Sequence, residues 1–348
     1  MAKITVYRRR ISRVRKLRAS RKGHLSRRAA RLYHKRQQRY GERSVRKIKR
    51  KRQPSAAPIV DSLQETEPDM ETERRLSYED GFRKGKYEGG ERILARLLPG
   101  TTLLPDMTVE HVLSLGVEQV RHLLKPLIGV AEVFQELESA LQERTPCSLV
   151  RLGDGELMAL AHDLVLSAEL VRREGTFLEY SGMNIPDHVH RDQLAEAVRK
   201  ASIIGVPVAL EPNFKGLLFP VFQAYGIQIA PRRFTLSTIN YLLAEEGYLP
   251  RLIQGRRVLV IGNTAHSLAT ILAGKGAVIA GAISPVNGMT DIPIVLQEAA
   301  EHDYDLAVVA AGIPAVILVQ RLAEQSGKVA IDFGHLANLI VNGNIQLT

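Results

Sequence analysis

Short, unbroken apolar runs punctuate the second half of the chain. Val258-Leu259-Val260-Ile261 shows no period-two alternation, and neither does Leu306-Ala307-Val308-Val309. That is the signature of strands covered on both faces of a parallel sheet. On this pattern strands are predicted at 148–152, 203–209, 257–262, 277–283, 306–311 and 328–332. Helical spacing of apolar residues fills 191–201, 265–273, 291–301 and 314–325 between them. Strand and helix in alternation predict an α/β domain over 148–348, with a Rossmann-like, doubly wound, mostly parallel sheet.

Upstream the period changes. Residues 77–147 read as a small helical segment packed on the main domain. Asp106 or Thr108 is the start signal, Val109, Val112, Leu113, Val120, Leu123 and Leu124 follow, and Val133, Phe134, Leu137 and Leu141 continue toward Pro146. Gly81, Gly85 and Gly89 recur every fourth residue. On a helix they share a face open to close approach, at up to about 1 kcal/mol each relative to Ala; a flexible tether is the other reading. Residues 53–76 form a linker with Pro54, Pro58 and Pro68 and a switch to acids from Asp61 to Glu73. Over 1–52 apolar residues are isolated among runs such as Arg8-Arg9-Arg10, too few to offset chain entropy, so this arm is expected to be disordered alone.

Charge sharpens that division. Residues 1–52 hold 23 of the 48 Lys and Arg and one acid, Glu42, a net +22, which leaves −11 on residues 53–348 within the +11 of the whole. A mildly acidic body thus carries a basic arm. The arm suits a polyanion: nucleic acid, a polymer of the teichoic-acid kind, or an anionic membrane surface, each weakened by salt. The single Cys147 forms no internal disulfide, which fits a reducing compartment, and the expected location is the cytoplasm. The longest apolar run, Leu306 to Val319, is 14 residues and contains Gly312 and Pro314. Spanning a bilayer takes about 20, so the run reads as a strand followed by a helix from Pro314. The basic N-terminus has no apolar segment of a secretory signal.

The candidate chemistry centres on Ser148-Leu149-Val150-Arg151-Leu152-Gly153-Asp154-Gly155-Glu156. A short strand meets a glycine turn, and Glu156 opens a helix, so two carboxylates sit one residue apart at a sheet edge. Such a pair suits a hard divalent cation, and the cation a diphosphate. The same residues also suit a structural role, Asp154 capping the helix and Glu156 favouring its positive end. Three further loops fall at predicted carboxyl ends of strands: Gly262-Asn263-Thr264, Ala311-Gly312-Ile313-Pro314 and Asp332-Phe333-Gly334-His335. Their glycines either admit a ligand to the backbone or make plain tight turns, and helix N-termini after them favour phosphate. His335 is either a locally bonded structural histidine or is oriented by Asp332 three residues earlier.

Leu149-Val150-Arg151-Leu152-Gly153-Asp154-Gly155-Glu156 resembles the signature strand and D-x-E loop of the GT-D fold glycosyltransferases. Ile331-Asp332-Phe333-Gly334-His335 resembles that family's closing D-x-G-H, and Asp305 to Ala315 its last-but-one strand and glycine turn. The likeness covers roughly 130–340. It implies sugar transfer from a nucleotide-sugar donor, such as a UDP-sugar, to an unknown acceptor, with Mn²⁺ or Mg²⁺. The matching carboxylates, Asp154 and Glu156, are then implicated in metal and donor binding. Residues 178–187 and 237–241 match no family motif.

With that resemblance, Asp154, Glu156, Asp332 and His335 are the catalytic candidates, and Asp154 and Glu156 the metal ligands. Arg151, Gly153, Gly155, Gly262, Asn263 and Gly312 are the candidates for holding the donor. Arg151 either contacts phosphate or pairs with an acid inside the fold, the pairing being favoured because a buried arginine rarely stays alone. Two other readings compete. One is a nicotinamide-dependent Rossmann enzyme built on Val260 to His266, which lacks a full G-x-G-x-x-G. The other is a non-catalytic polyanion-binding protein whose α/β body holds a nucleotide or a partner.

Overall fold

The computed structural model describes residues 70–207 and 214–347. The predicted arm (1–52) and the predicted linker up to residue 69 lie outside the described residues. The described residues fall into two units that divide after Val109. In the first, helix α1 (Met70–Lys86) begins within the stretch read as linker, passes through a π-helical turn at Tyr87–Glu91 and continues as α2 (Arg92–Leu97). Gly81, Gly85 and Gly89 are therefore helical. A methyl added at any of them would meet no atom within 4 Å, so no described residue uses their small face.

The second unit opens at the second residue of α3 (Val109–Gln119), which a 3₁₀ turn at Arg121–Leu123 follows. The helical pattern read across 106–143 is thus broken. Pro126 cannot sit in a helix interior, and the chain restarts at Gly129, whose N–H is capped by Glu132 (2.8 Å). The resulting α4 (Val130–Glu143) buries Val133, Phe134, Leu137 and Leu141 along one stripe.

The sheet follows: β1 (Cys147–Arg151), β2 (Ile203–Val206), β3 (Arg233–Leu236), β4 (Arg257–Gly262), β5 (Val278–Ile283), β6 (Leu306–Ala310) and β7 (Val329–Asp332). Its seven strands are all parallel, in the order β3-β2-β1-β7-β6-β4-β5. The connecting helices are α5 (Asp154–Ala161), α6 (Ala168–Glu174), α7 (His188–Lys200), α8 (Leu218–Ala224), α9 (Ile239–Glu245), α10 (Tyr248–Ile253), α11 (Ala265–Gly274), α12 (Ile292–Ala300), α13 (Pro314–Ser326) and α14 (Leu336–Val341).

Two apolar cores flank the sheet. One gathers α5, α7, α8, α12 and α13 over Val150, Ile204, Leu259, Ile261, Ala307 and Val309. The other gathers α4, α9, α10, α11 and α14 over Leu149, Ile203, Val258, Val260, Leu306 and Val308. Neighbouring residues of one strand thus serve opposite cores, which is why the strands carry no polar alternation. The exception is β3, absent from the sequence-based strands. It is a short edge strand whose Arg233 faces solvent and whose Thr235 hydroxyl donates to the Ile128 carbonyl (2.9 Å). β2 stops at Val206, short of the predicted 209, and Pro207 has no N–H to extend the ladder.

Connectivity positions the site. β1 runs into α5 on the first face, while its neighbour β7 runs into α14 on the second. The chain parts there, leaving a crevice at the carboxyl ends of the strands, where open α/β sheets bind ligands. β6 and β4 part in the same way into α13 and α11. No described helix is long and apolar enough to cross a membrane.

Close strand contact sets the glycine at the end of β4. Gly262 has φ +137, and a Cβ there would stand 2.1 Å from the Ala310 carbonyl oxygen on β6. Gly255 has φ +71 with open space around it. Gly255→Ala should therefore cost only the left-handed penalty of about 1–2 kcal/mol. Gly262→Ala must also part β4 from β6 and should lose on the order of 3 kcal/mol or more. Urea midpoints of the two variants check the ranking.

Candidate functional site

The acidic turn is rigid because its helix is anchored. After β1 the chain passes Leu152, whose N–H reaches the Gly205 carbonyl on β2 (2.8 Å), and enters α5 at Asp154. Leu157 to Ala161 are all buried, which fixes the helix against the first core. Gly153 is the N-cap, and the Glu156 carboxylate folds back to accept its N–H (2.7 Å). Glu156, not Asp154, is therefore the capping residue. Asp154, first in the helix and half-buried, makes no hydrogen bond or ion pair with a described residue.

Arg151 closes the crevice between β1 and β7. Its Nε donates to the Asp332 carbonyl (3.0 Å) and Nη2 to the Asp332 carboxylate (3.1 Å). Nη1 donates to the Ser237 carbonyl and to Asn240 Oδ1, each at 3.1 Å. Asn240, buried on α9, donates in turn to the Phe333 carbonyl (2.8 Å). A Cβ on Gly334, which has φ +53, would lie 1.7 Å from Arg151 Nη2, so only glycine lets the loop after β7 pass over the guanidinium. Of the two roles open to Arg151, pairing inside the fold is the one the structure shows. Asn240 is a residue the sequence reading missed. It lies in the 237–241 stretch that matched no motif, and nothing local marks an asparagine as the bridge between two distant strands.

Two carboxyls share this guanidinium. Asp332 is 4% exposed, and burial pushes its pKa up against the pull of Arg151. Glu156 is partly exposed as a residue, but desolvation of its carboxyl raises its pKa, and the negative charge of Asp332 raises it further. One cation between two acids leaves the cluster short of positive charge.

Next to the cluster lies a cavity of about 390 Å³, walled by the loops after β4, β5, β6 and β7. Asn263, Thr264, Asn287, Gly312, His335 and Asn338 face it, and Tyr180 and Ser181 cross its mouth. Three of the four predicted loops are thereby brought together. Asp154 and Glu156 do not line the cavity. Gly155, between them, comes nearest: a Cβ there would be 3.5 Å from the side chain of Ile313, the residue after the cavity's Gly312. Gly153 and Gly155 shape the acidic turn, and Gly262 packs on Ala310, so the cavity reaches none of these three. Gly312 (φ +62) lies under the Ser181 carbonyl, 2.5 Å from where a Cβ would be, and Ile313 N–H bonds that same carbonyl (3.0 Å). The 180–182 loop, unassigned from sequence, is held across the site by this glycine.

Asp332 and His335 do not pair. Asp332 turns to Arg151, and His335 Nδ1 lies 3.2 Å from Asn338 Nδ2. The amide nitrogen only donates, so Nδ1 accepts and Nε2 carries the proton of the neutral ring. Asn263 Oδ1 accepts the Val286 N–H (2.8 Å) and braces the loop after β5. The cavity has no lysine or arginine among its lining residues. Its capacity for anions rests on the N-terminus of α11, whose first N–H groups have no partner within their own helix. The start of α13 offers none, because it begins at Pro314 and the N–H groups of Ile313, Ala315 and Val316 are bonded to the Ser181, Gly312 and Ile313 carbonyls. As to metal, no group of three or more His, Cys, Asp or Glu side chains among the described residues is placed to hold an ion. That donor set does not make an all-protein cage. It fits an ion of the Mg²⁺ type, which takes one or two carboxylates and completes its shell with water and substrate phosphate.

Residues 128–340 match the model of the GT-D fold-like domain family. Two solved structures are similar. One is a domain of unknown function 1792, described as highly conserved with a distinct glycosyltransferase fold, at TM-score 0.47 and 17% identity over 64% of this chain and 84% of that one. The other is a selenomethionine-substituted structure of domain of unknown function 1792, at TM-score 0.45 and 17% identity with the same coverage. No curated protein gives a significant match.

Removing the shared cation tests the cluster. Arg151→Met leaves Asp332 buried without its partner and should cost about 3–5 kcal/mol in urea unfolding near pH 7, part of it recovered by adding Asp332→Asn. The pH dependence has a definite sign. Both carboxyls bind protons more tightly folded than unfolded, so their contribution is fullest below the ordinary values of 4.5 and 3.8 and is lost as pH rises through the raised folded ones. Glu156→Gln keeps an acceptor for the Gly153 N–H and removes one charge. It should flatten the fall of melting temperature as pH rises above the ordinary carboxyl value of 4.5.

Proposed function

Starting from a chain that belongs to the GT-D fold-like domain family, we propose that it is a glycosyltransferase taking its sugar from a nucleoside-diphosphate donor, such as a UDP-sugar. The observation that carries this reading is the juxtaposition of an acidic turn and a polar cavity onto which the N-terminus of α11 opens, all at the carboxyl edge of one parallel sheet. The backbone N–H groups opening α11 would bind the diphosphate. Asn263, Asn287 and Asn338 would offer amides to the nucleoside or sugar hydroxyls, and His335 Nε2–H one more donor. Tyr180, 94% exposed at the cavity mouth, would cover a bound ring.

Asp154 and Glu156 would hold a Mn²⁺ or Mg²⁺ beside that cavity. Such an ion supplies positive charge to the diphosphate as it departs. Asp154 is the carboxylate with no structural commitment, so it would carry most of that task, while Glu156 keeps one oxygen on its helix cap. Arg151 would act at a distance, holding the Asp332–His335 loop so that His335 faces the cavity. Water is kept from the floor by Ile313 and the buried first turn of α13. Cys147 is buried and its thiol is pushed up to about 11, so it is unreactive, which suits a protein of the cytoplasm.

Calorimetry and thermal shift with nucleoside diphosphates test the proposal. A diphosphate at about a hundred times its Kd should stabilise the protein by about 2.7 kcal/mol, and the gain should need Mn²⁺ or Mg²⁺. Asp154→Asn should weaken metal-dependent binding by about tenfold or more, about 1.4 kcal/mol, and leave folding intact. Stabilisation by a nicotinamide dinucleotide and not by nucleoside diphosphates would overturn the reading.

A further inference from the structure

A second cavity, of about 610 Å³, lies against the β3 edge of the sheet, away from the polar one. Leu123, Leu124, Leu127, Phe219, Phe222 and Phe234 line it. Its rim is unusually bare: Leu123 is 71%, Leu124 59% and Phe219 64% exposed. Lys125 stands at the rim with its Nζ on the Ala230 carbonyl (2.9 Å). The apolar surface continues along the chain into α3, where Val109, Val112, Leu113, Gly116, Val117 and Val120 fall on one helical face. Leu113 and Val117 on that face are also exposed. Exposed apolar side chains gathered at the rim of such a groove mark a surface of interaction.

We propose that this surface docks on an anionic lipid bilayer, with α3 and the Leu123–Leu124 turn in the interface and a lipid hydrocarbon chain in the groove. Charge decides the occupant. Residues 1–52 carry +22 and the rest of the chain −11. The polar side of α3 bears Glu110 and Glu118, so attraction to a negative surface must come from the arm. An anionic bilayer offers negative headgroups to the arm and hydrocarbon to the groove, the two signals that stable surface binding takes. A nucleic acid satisfies only the first. The proposal is independent of the transferase reading.

The chain has no tryptophan, so Phe219→Trp installs a unique reporter in the groove rim. Its emission should shift to the blue with vesicles of phosphatidylcholine containing phosphatidylglycerol, and the shift should fade as salt rises. In co-sedimentation with the same vesicles, the full chain carrying Leu123→Asp and Phe219→Asp should bind about tenfold or more weakly than the native chain, although its arm is intact. Both positions are exposed, and circular dichroism verifies that the fold survives. An unshifted tryptophan, or native-like sedimentation of the double variant, would overturn the proposal. So would a native dimer in analytical ultracentrifugation that the same two substitutions disperse.

Discussion

A guanidinium held between two parallel strands organises everything at the carboxyl edge of this sheet. Arg151 leaves β1 and donates four hydrogen bonds, two of them to Asp332 at the end of the neighbouring β7 and two to the segment that opens α9. An arginine buried there without acceptors would be ruinous, and an aspartate buried without the arginine equally so. The two can exist only together. Their pairing dictates the glycine at 334, the asparagine at 240 and the direction in which the loop after β7 leaves the sheet. Stability and site geometry are here a single set of contacts.

From that constraint follows a division of labour between carboxylates. Asp332 is spent on Arg151, and Glu156 spends one oxygen on the N-terminus of its own helix. Each pays a desolvation cost visible in its raised pKa, with one positive charge between them. Asp154 alone is uncommitted, and it stands where the first turn of α5 meets the wall of the polar cavity. The cavity brings no fixed cation of its own. Positive potential comes from backbone at the start of α11, so the site can take up a phosphate-rich ligand without holding a charge that would have to be buried when empty.

Much of the architecture was legible because it depends on local pattern. Strands such as 257–262 and 306–311 were marked by unbroken apolar runs, and the two cores explain why: odd and even residues of one strand are buried on opposite faces. The strand at 233–236 was not legible. At the sheet edge it buries Phe234 and the polar Thr235 and leaves Arg233 in solvent, so it carries too little apolar pattern to stand out. The break in the helical stretch before β1 was written in Pro126 and Gly129, but the spacing of leucines across it continued and masked it.

The site divides along the same line. Glycine turns, acidic pairs and helix starts are properties of a few neighbouring residues, and the chain by itself determined that four such loops would end parallel strands on one edge. It also determined the contrast between a basic arm and an acidic body, since charge counts need no coordinates. Which acid meets which base was decided only in three dimensions. Arg151 is 181 positions from Asp332 and 89 from Asn240, and His335 parted from Asp332 because the aspartate found a stronger partner across the sheet. Separations of that length are closed by the order of strands, and strand order belongs to the packing of two cores, to which no single stretch of sequence has access.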